Sequence, residues 1–141
     1  MYSTDTHGLL WHLQEVSAGK KLRRRGGLSP RARRIFSAAD RGLETILIPS
    51  IVLVELVYMS ERGRIPSILV AQLLADLATG PENYRMVPLD LDIVTHLRDI
   101  SVVEVPEMPD RIIAATAKAT KSGLVTRDES LARAAGVSVV W

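Results

Sequence analysis

Short apolar segments alternate with amphipathic ones along the whole chain, and this rhythm constrains the fold more than any other feature. Tyr2–Asp5, Thr45–Ile48, Tyr84–Val87, Leu124–Thr126 and Val137–Val140 read as strands. Between them, segments with helical spacing begin at capping residues. Ser29-Pro30 combines an N-cap with a proline at the first helical position, Asp90 and Asp128 are further caps, and glycines follow at 42, 63, 80, 123 and 136. The expected helices are 6–15, 30–40, 51–61, 67–79, 91–100, 111–121 and 129–134. Residues 16–28 read as a long loop and 102–107 as irregular. Strands that alternate with helices need crossover connections, so the pattern predicts an α/β fold. Its central sheet should be mostly parallel, with helices on both faces.

With 141 residues and no internal repeat or linker, the chain should form a single domain over residues 1–141. Cysteine is absent, which excludes a disulfide framework, a thiolate metal site and a cysteine nucleophile, and suits the cytoplasm. The longest uncharged stretch, Ile65–Ala75, has eleven residues. A membrane span needs about 20, so no membrane association is expected. The N-terminal residues lack the charged and apolar regions of a signal peptide.

Net charge is +2, but it is unevenly placed. Nine of the 18 basic residues and only one acid lie between Lys20 and Arg41, so that segment carries +8 and the remainder −6. A basic arm on an acidic body fits a polyanion or an acidic partner, and equally a solvated surface. Lys20, Lys21, Arg23, Arg24 and Arg25 are the candidate polyanion-binding residues.

Nucleophile-elbow, P-loop and dinucleotide-binding motifs are missing, and His7, His12 and His96 lack zinc-ligand spacing. Four acids remain. Asp5, Asp110 and Asp128 stand at strand–helix junctions, where ligands bind in open parallel sheets, although each could be only a helix cap. Glu55 lies within Ile51-Val52-Leu53-Val54-Glu55-Leu56-Val57-Tyr58-Met59. A helix apolar nearly all round should be buried, so Glu55 should be paired, protonated or metal-bound. An ion pair with an arginine such as Arg111 is one bland alternative, and a single exposed stripe on this helix is the other. If the four acids share one site, a hard cation such as Mg²⁺ or Mn²⁺ would relieve their repulsion and favour phosphodiester hydrolysis.

These residues carry a family resemblance. Tyr2-Ser3-Thr4-Asp5-Thr6-His7-Gly8-Leu9-Leu10-Trp11 resembles the opening of PIN-domain ribonucleases, in particular the VapC-type toxins of toxin–antitoxin pairs. Val54-Glu55-Leu56, Pro109-Asp110-Arg111-Ile112-Ile113-Ala114-Ala115-Thr116-Ala117 and Thr126-Arg127-Asp128-Glu129-Ser130-Leu131 match the later motifs in order. The resemblance implies a three-layer PIN-like fold and a Mg²⁺- or Mn²⁺-dependent endoribonuclease. Asp5, Glu55, Asp110 and Asp128 match its acidic quartet, with Asp5 and Asp110 as direct metal ligands. Glu55 and Asp128 would complete the metal shell or orient water, and Thr6 and Thr126 would orient the carboxylates. It further implies a homodimer and a cognate antitoxin.

Rival readings fare worse. A phosphoacceptor domain needs an acidic pair after the first strand, and Asp5 stands alone. Asp90-Leu91-Asp92 mimics an aspartyl-phosphatase motif but fits a helix start. A catalytically inactive PIN-fold RNA- or protein-binding module is the stronger alternative, and the intact acid quartet argues against it.

Overall fold

A computed structural model describes residues 1–19 and 27–141. The candidate RNA-binding residues Lys20, Lys21, Arg23, Arg24 and Arg25 lie outside the described residues. Five strands, β1 (Tyr2–Thr4), β2 (Ile46–Pro49), β3 (Tyr84–Val87), β4 (Gly123–Val125) and β5 (Val139–Val140), form one sheet in the order β3-β2-β1-β4-β5. Every adjacent pair is parallel, with Tyr2 level with Ile46 on one side and Gly123 on the other. The helices are α1 (Thr6–Ala18), α2 (Pro30–Asp40), α3 (Ser50–Glu61), α4 (Ser67–Ala78), α5 (Leu91–Leu97), α6 (Met108–Ala119) and α7 (Glu129–Ala135). The result is a three-layer α/β architecture, as the alternation predicts. Among the described residues no helix is long and apolar enough to cross a membrane.

Local chemistry explains most boundaries. The Ser29 hydroxyl accepts the Ala32 amide at 3.1 Å, and Pro30 opens α2. Asp90 accepts the Ile93 amide at 3.0 Å at the start of α5. The Asp90-Leu91-Asp92 segment is therefore a helix start. Three helix boundaries differ by three residues from expectation. Helix α6 begins at Met108 rather than Arg111 with Glu107 as its N-cap, so Asp110 lies inside the first turn and is not the cap. Helix α1 continues to Ala18 before Gly19 turns it, which shortens the expected 16–28 loop. Helix α5 stops at Leu97 rather than near Ile100, and the chain continues in tighter turns in which the Ile100 amide bonds the Leu97 carbonyl at 3.2 Å, while the Arg111 guanidinium donates to the carbonyls of both Leu97 and Ile100, at 3.2 and 3.0 Å. A side chain from α6 thus serves carbonyls that have no i+4 amide at the end of α5.

The core is aliphatic, built from residues such as Leu9, Ile46, Ile48, Val52, Leu56, Ile113 and Leu124, with Phe36 as its one phenylalanine. Helix α6 sits centrally against β1, β2, β4, α3, α5 and α7. It buries Ile112 through Ala117, and the small residues among them admit close neighbours. Of the basic segment, Arg33 is structural. Its guanidinium meets Glu15 at 2.8 and 2.7 Å and ties α2 to α1.

Candidate active site

The topology fixes where a site should form. From β1 the chain winds outward through β2 to β3, then crosses back so that β4 lies on the other side of β1. The winding reverses between β1 and β4. Beyond the carboxyl ends of strands flanking such a reversal there is a crevice, the usual ligand position in open α/β sheets. Asp5 follows β1 and the Thr126–Asp128 turn follows β4. A cleft of about 710 Å³ opens there, lined by Asp5, Thr6, Glu55, Asp110 and Asp128. All four sequence-selected acids therefore reach one cleft, from the ends of β1 and β4, the middle of α3 and the first turn of α6.

Asp5 is gripped on both oxygens. Oδ1 accepts the Gly8 amide at 2.6 Å, which caps α1, and Oδ2 accepts the Thr126 hydroxyl at 2.5 Å. The capping reading is therefore correct as well, and one carboxylate can do both. Gly8 makes room for this arrangement. A Cβ there would lie 3.0 Å from Asp5 Oδ1 and 3.0 Å from Thr4 Oγ1. Burial pushes the Asp5 carboxyl above its ordinary range, against the lowering effect of Thr126 and Gly8.

Thr126 has a second task. Its oxygen accepts the Asp128 amide at 3.0 Å, so one fully buried hydroxyl joins Asp5 to the following turn. Asp128 caps α7 through Oδ1, which accepts the Ser130 hydroxyl at 2.5 Å and the amides of Ser130 and Leu131 at 2.9 and 3.2 Å. These bonds, led by the Ser130 hydroxyl, hold the Asp128 carboxyl below its usual range. Asp110 behaves oppositely. Burial, followed by the charges of Glu55, Asp128, Asp5 and Glu107, raises its carboxyl. The four acids are thus close enough for mutual repulsion to matter.

Glu55 fits the exposed-stripe alternative and not the buried one. It is half-buried, and Val54 and Tyr58 beside it are 48% and 57% exposed. Helix α3 is apolar nearly all round, yet one of its faces lines the cleft. The Arg111 pair does not form, because that guanidinium bonds to carbonyls instead. Glu55 Oε2 accepts the Thr6 hydroxyl in a short hydrogen bond. Thr6 and Thr126 thus each contact an acid of the quartet.

An all-oxygen donor set suits a hard divalent cation, and the neighbouring acids add to the burial that raises the Asp110 carboxyl. Among the described residues, however, no three acidic or imidazole groups are gathered tightly enough to form a ready-made metal site.

Sequence reasoning did not single out Tyr58, Arg62 or Arg64, which line the same cleft. A possible signal was the Arg-Gly-Arg at the end of α3. A shallower depression of about 350 Å³ adjoins on the other side, lined by Asp5, His7, Trp11, Arg127 and Asp128.

Comparison with known proteins agrees with this architecture. No curated protein sequence matches the chain. The chain is similar in structure to VapBC2 from Rickettsia felis bound to a promoter DNA fragment, with a TM-score of 0.64, 17% identity, and coverage of 99% of this chain and 96% of the other. It is also similar to FitAcB from Neisseria gonorrhoeae, with a TM-score of 0.63, 20% identity, and coverage of 100% and 97%. A toxin–antitoxin complex from Klebsiella pneumoniae gives a TM-score of 0.63 at 20% identity, again covering 100% and 97%. At these identities the likeness speaks for the fold alone. The PIN domain profile matches residues 7–137, nearly the whole chain. The chain belongs to the PIN domain family.

Proposed function

We propose that the chain, as a single PIN-like domain over residues 1–141, is a Mg²⁺- or Mn²⁺-dependent endoribonuclease and the toxin of a toxin–antitoxin pair. The observation that carries this reading is the meeting of Asp5, Glu55, Asp110 and Asp128 in one cleft at the reversal of the sheet. Family membership supports a nuclease, and the likeness to toxin–antitoxin complexes supports a cognate antitoxin partner. A cytoplasmic homodimer completes the proposal.

Asp5 and Asp110 are the proposed direct metal ligands, with Glu55 and Asp128 completing the site. When bound, such a cation supplies polarisation of a phosphoryl oxygen and of water. The chain's own residues do the positioning. Thr126 aims Asp5 and anchors the Asp128 turn, and Thr6 aims Glu55. Asp128, held ionised by Ser130, accepts a hydrogen bond from the attacking water. Hydrolysis forms one P–O bond to that water and breaks one to a ribose oxygen. Lys20, Lys21, Arg23, Arg24 and Arg25 are proposed to track the RNA backbone.

Purified protein free of any antitoxin should cleave single-stranded RNA with Mg²⁺ or Mn²⁺ and stop in EDTA. Single strands are expected because their backbone is accessible. Equal cleavage in EDTA overturns the metal-dependent mechanism, and RNA binding without cleavage under any metal supports an inactive module.

A further inference from the structure

The acid cleft has a cationic wall that the acids do not neutralise. Helix α3 ends in a C-cap where the Gly63 amide bonds the Ser60 carbonyl at 2.9 Å and the Arg64 amide bonds the Met59 carbonyl at 2.9 Å. Gly63 has φ of 68°, the left-handed conformation this cap requires. The reversal leaves Arg62 and Arg64 on either side of one glycine, and both line the cleft that holds the four carboxylates. Both are exposed, and among the described residues neither makes an ion pair. The Arg62 guanidinium lies 5.9 Å from the centre of the exposed Tyr58 ring, which lines the same wall. Across the acids, Arg127 lines the shallower depression, and the two depressions share Asp5, His7 and Asp128. Arg127 is also exposed and without an ion pair among the described residues.

A cation beside the last turn of a helix is favourable on its own account, and that could explain Arg62. It explains neither why two arginines line the carboxylate cleft nor why an aromatic face accompanies them. Arginine for phosphate and an aromatic face for a base are the usual furnishings of a single-strand channel. We propose that a single RNA strand crosses the acids from Arg127 to the Arg62–Arg64 wall. Tyr58 stacks a base beside the scissile phosphate, and the three arginines hold the phosphates flanking it. These are positioning residues, and the proposal rests on the nuclease reading.

The test uses a short fluorescein-labelled single-stranded RNA of mixed sequence. Binding is followed by fluorescence anisotropy in EDTA over a range of KCl, and KM and kcat are measured with Mn²⁺. Each phosphate contact on a single strand contributes about 0.7 to the log–log salt slope, so Arg62→Ser with Arg64→Ser should flatten it by about 1.4 and Arg127→Ser by about 0.7. Tyr58→Leu should weaken binding about tenfold with the slope unchanged, because stacking releases no counterions. In Mn²⁺, the arginine variants should raise KM by about tenfold while kcat stays within about twofold. If the arginines only cap α3 or dock an acidic protein, both slope and KM stay at wild-type values, and the proposal is overturned. Should the wild type itself neither bind nor cleave RNA, the nuclease reading fails and takes this proposal with it. Wild-type cleavage with unaltered variants removes only the proposal.

Discussion

Two polar clusters in this chain are built on opposite principles. One joins α1, α2 and β3. There the Tyr84 hydroxyl donates to Asp40 at 2.6 Å, His12 Nε2 lies 3.2 Å from Asp40 and 3.1 Å from the Tyr84 oxygen, and the His12 ring stacks on Phe36 at 4.5 Å. It has one carboxylate, a hydroxyl to serve it, and an imidazole that burial keeps neutral to lower pH than usual. The other cluster is the cleft, with four carboxylates, hydroxyl donors, and a raised Asp110. The first is complete as it stands and locks three elements together. The second places like charges together and leaves their repulsion unrelieved. Folding alone gives no reason for that arrangement, whereas a bound cation and a phosphodiester do.

The sharpest way to break this contrast is at Asp5. Asp5→Asn preserves the cap of α1, since Asn caps as well as Asp, but removes the charge. RNA cleavage in Mn²⁺ should fall below detection with little change in melting temperature. Cleavage near the wild-type rate would reduce Asp5 to a cap. A smaller effect is expected at Thr126→Val, which keeps the shape of a buried residue and deletes its bonds to Asp5 and to the Asp128 amide. Loss of a residue that orients ligands lowers activity by about 10- to 100-fold. Losing both bonds should also cost about 1–3 kcal/mol of stability, measurable by urea denaturation.

Substitutions in the other cluster should do the reverse. Tyr84→Phe removes the hydroxyl that Asp40 accepts. Asp40 is partly exposed and can turn to water, so the loss should be only about 1 kcal/mol, with cleavage unchanged. The pH dependence has a definite sign. Unfolded His12 takes up its proton near 6.5, and the folded protein does so only at lower pH, because desolvation outweighs the attraction of Asp40. The unfolded state therefore binds more protons in that window, and stability should fall as pH drops below about 6.5. His12→Gln should flatten that part of the stability profile, and an unchanged profile would place the titration elsewhere.

The two clusters were unequally legible in the sequence. Asp5 and Asp128 were readable because a strand–cap–helix junction leaves a local mark, and their arrival at one edge follows from parallel topology. Asp110 was readable only as an acid at a helix start, since α6 follows α5 with no strand between them and Glu107, not Asp110, is its N-cap. Glu55 was found for a partly mistaken reason. An acid amid apolar neighbours does call for an explanation, but a one-dimensional pattern cannot tell a buried helix face from one lining a cleft. The His12–Asp40–Tyr84 cluster left no mark, since its members come from three separate elements and each has an ordinary local context. Arg111 could be expected to meet a carboxylate; its capture by two carbonyls depends on where α5 ends. Arg62 and Arg64 left no mark in the sequence that ties them to the site, and only the turn at Gly63 places them on the cleft.

The central claim, that the cleft holds unrelieved charge awaiting a cation, is tested most directly by melting temperatures of the wild type and Asp110→Asn with EDTA and with Mn²⁺. Because the folded Asp110 carboxyl is raised above 3.8, its protonated form stabilises the fold at low pH, and that contribution is lost as pH rises through the folded value. At neutral pH in EDTA, Asp110→Asn should therefore melt at or above the wild type, and the difference should vanish below about pH 3.8. Mn²⁺ should raise the wild-type melting temperature and raise that of Asp110→Asn far less, since a ligand stabilises only the state that binds it. A variant that melts well below the wild type in EDTA, together with a wild type indifferent to Mn²⁺, would contradict the account.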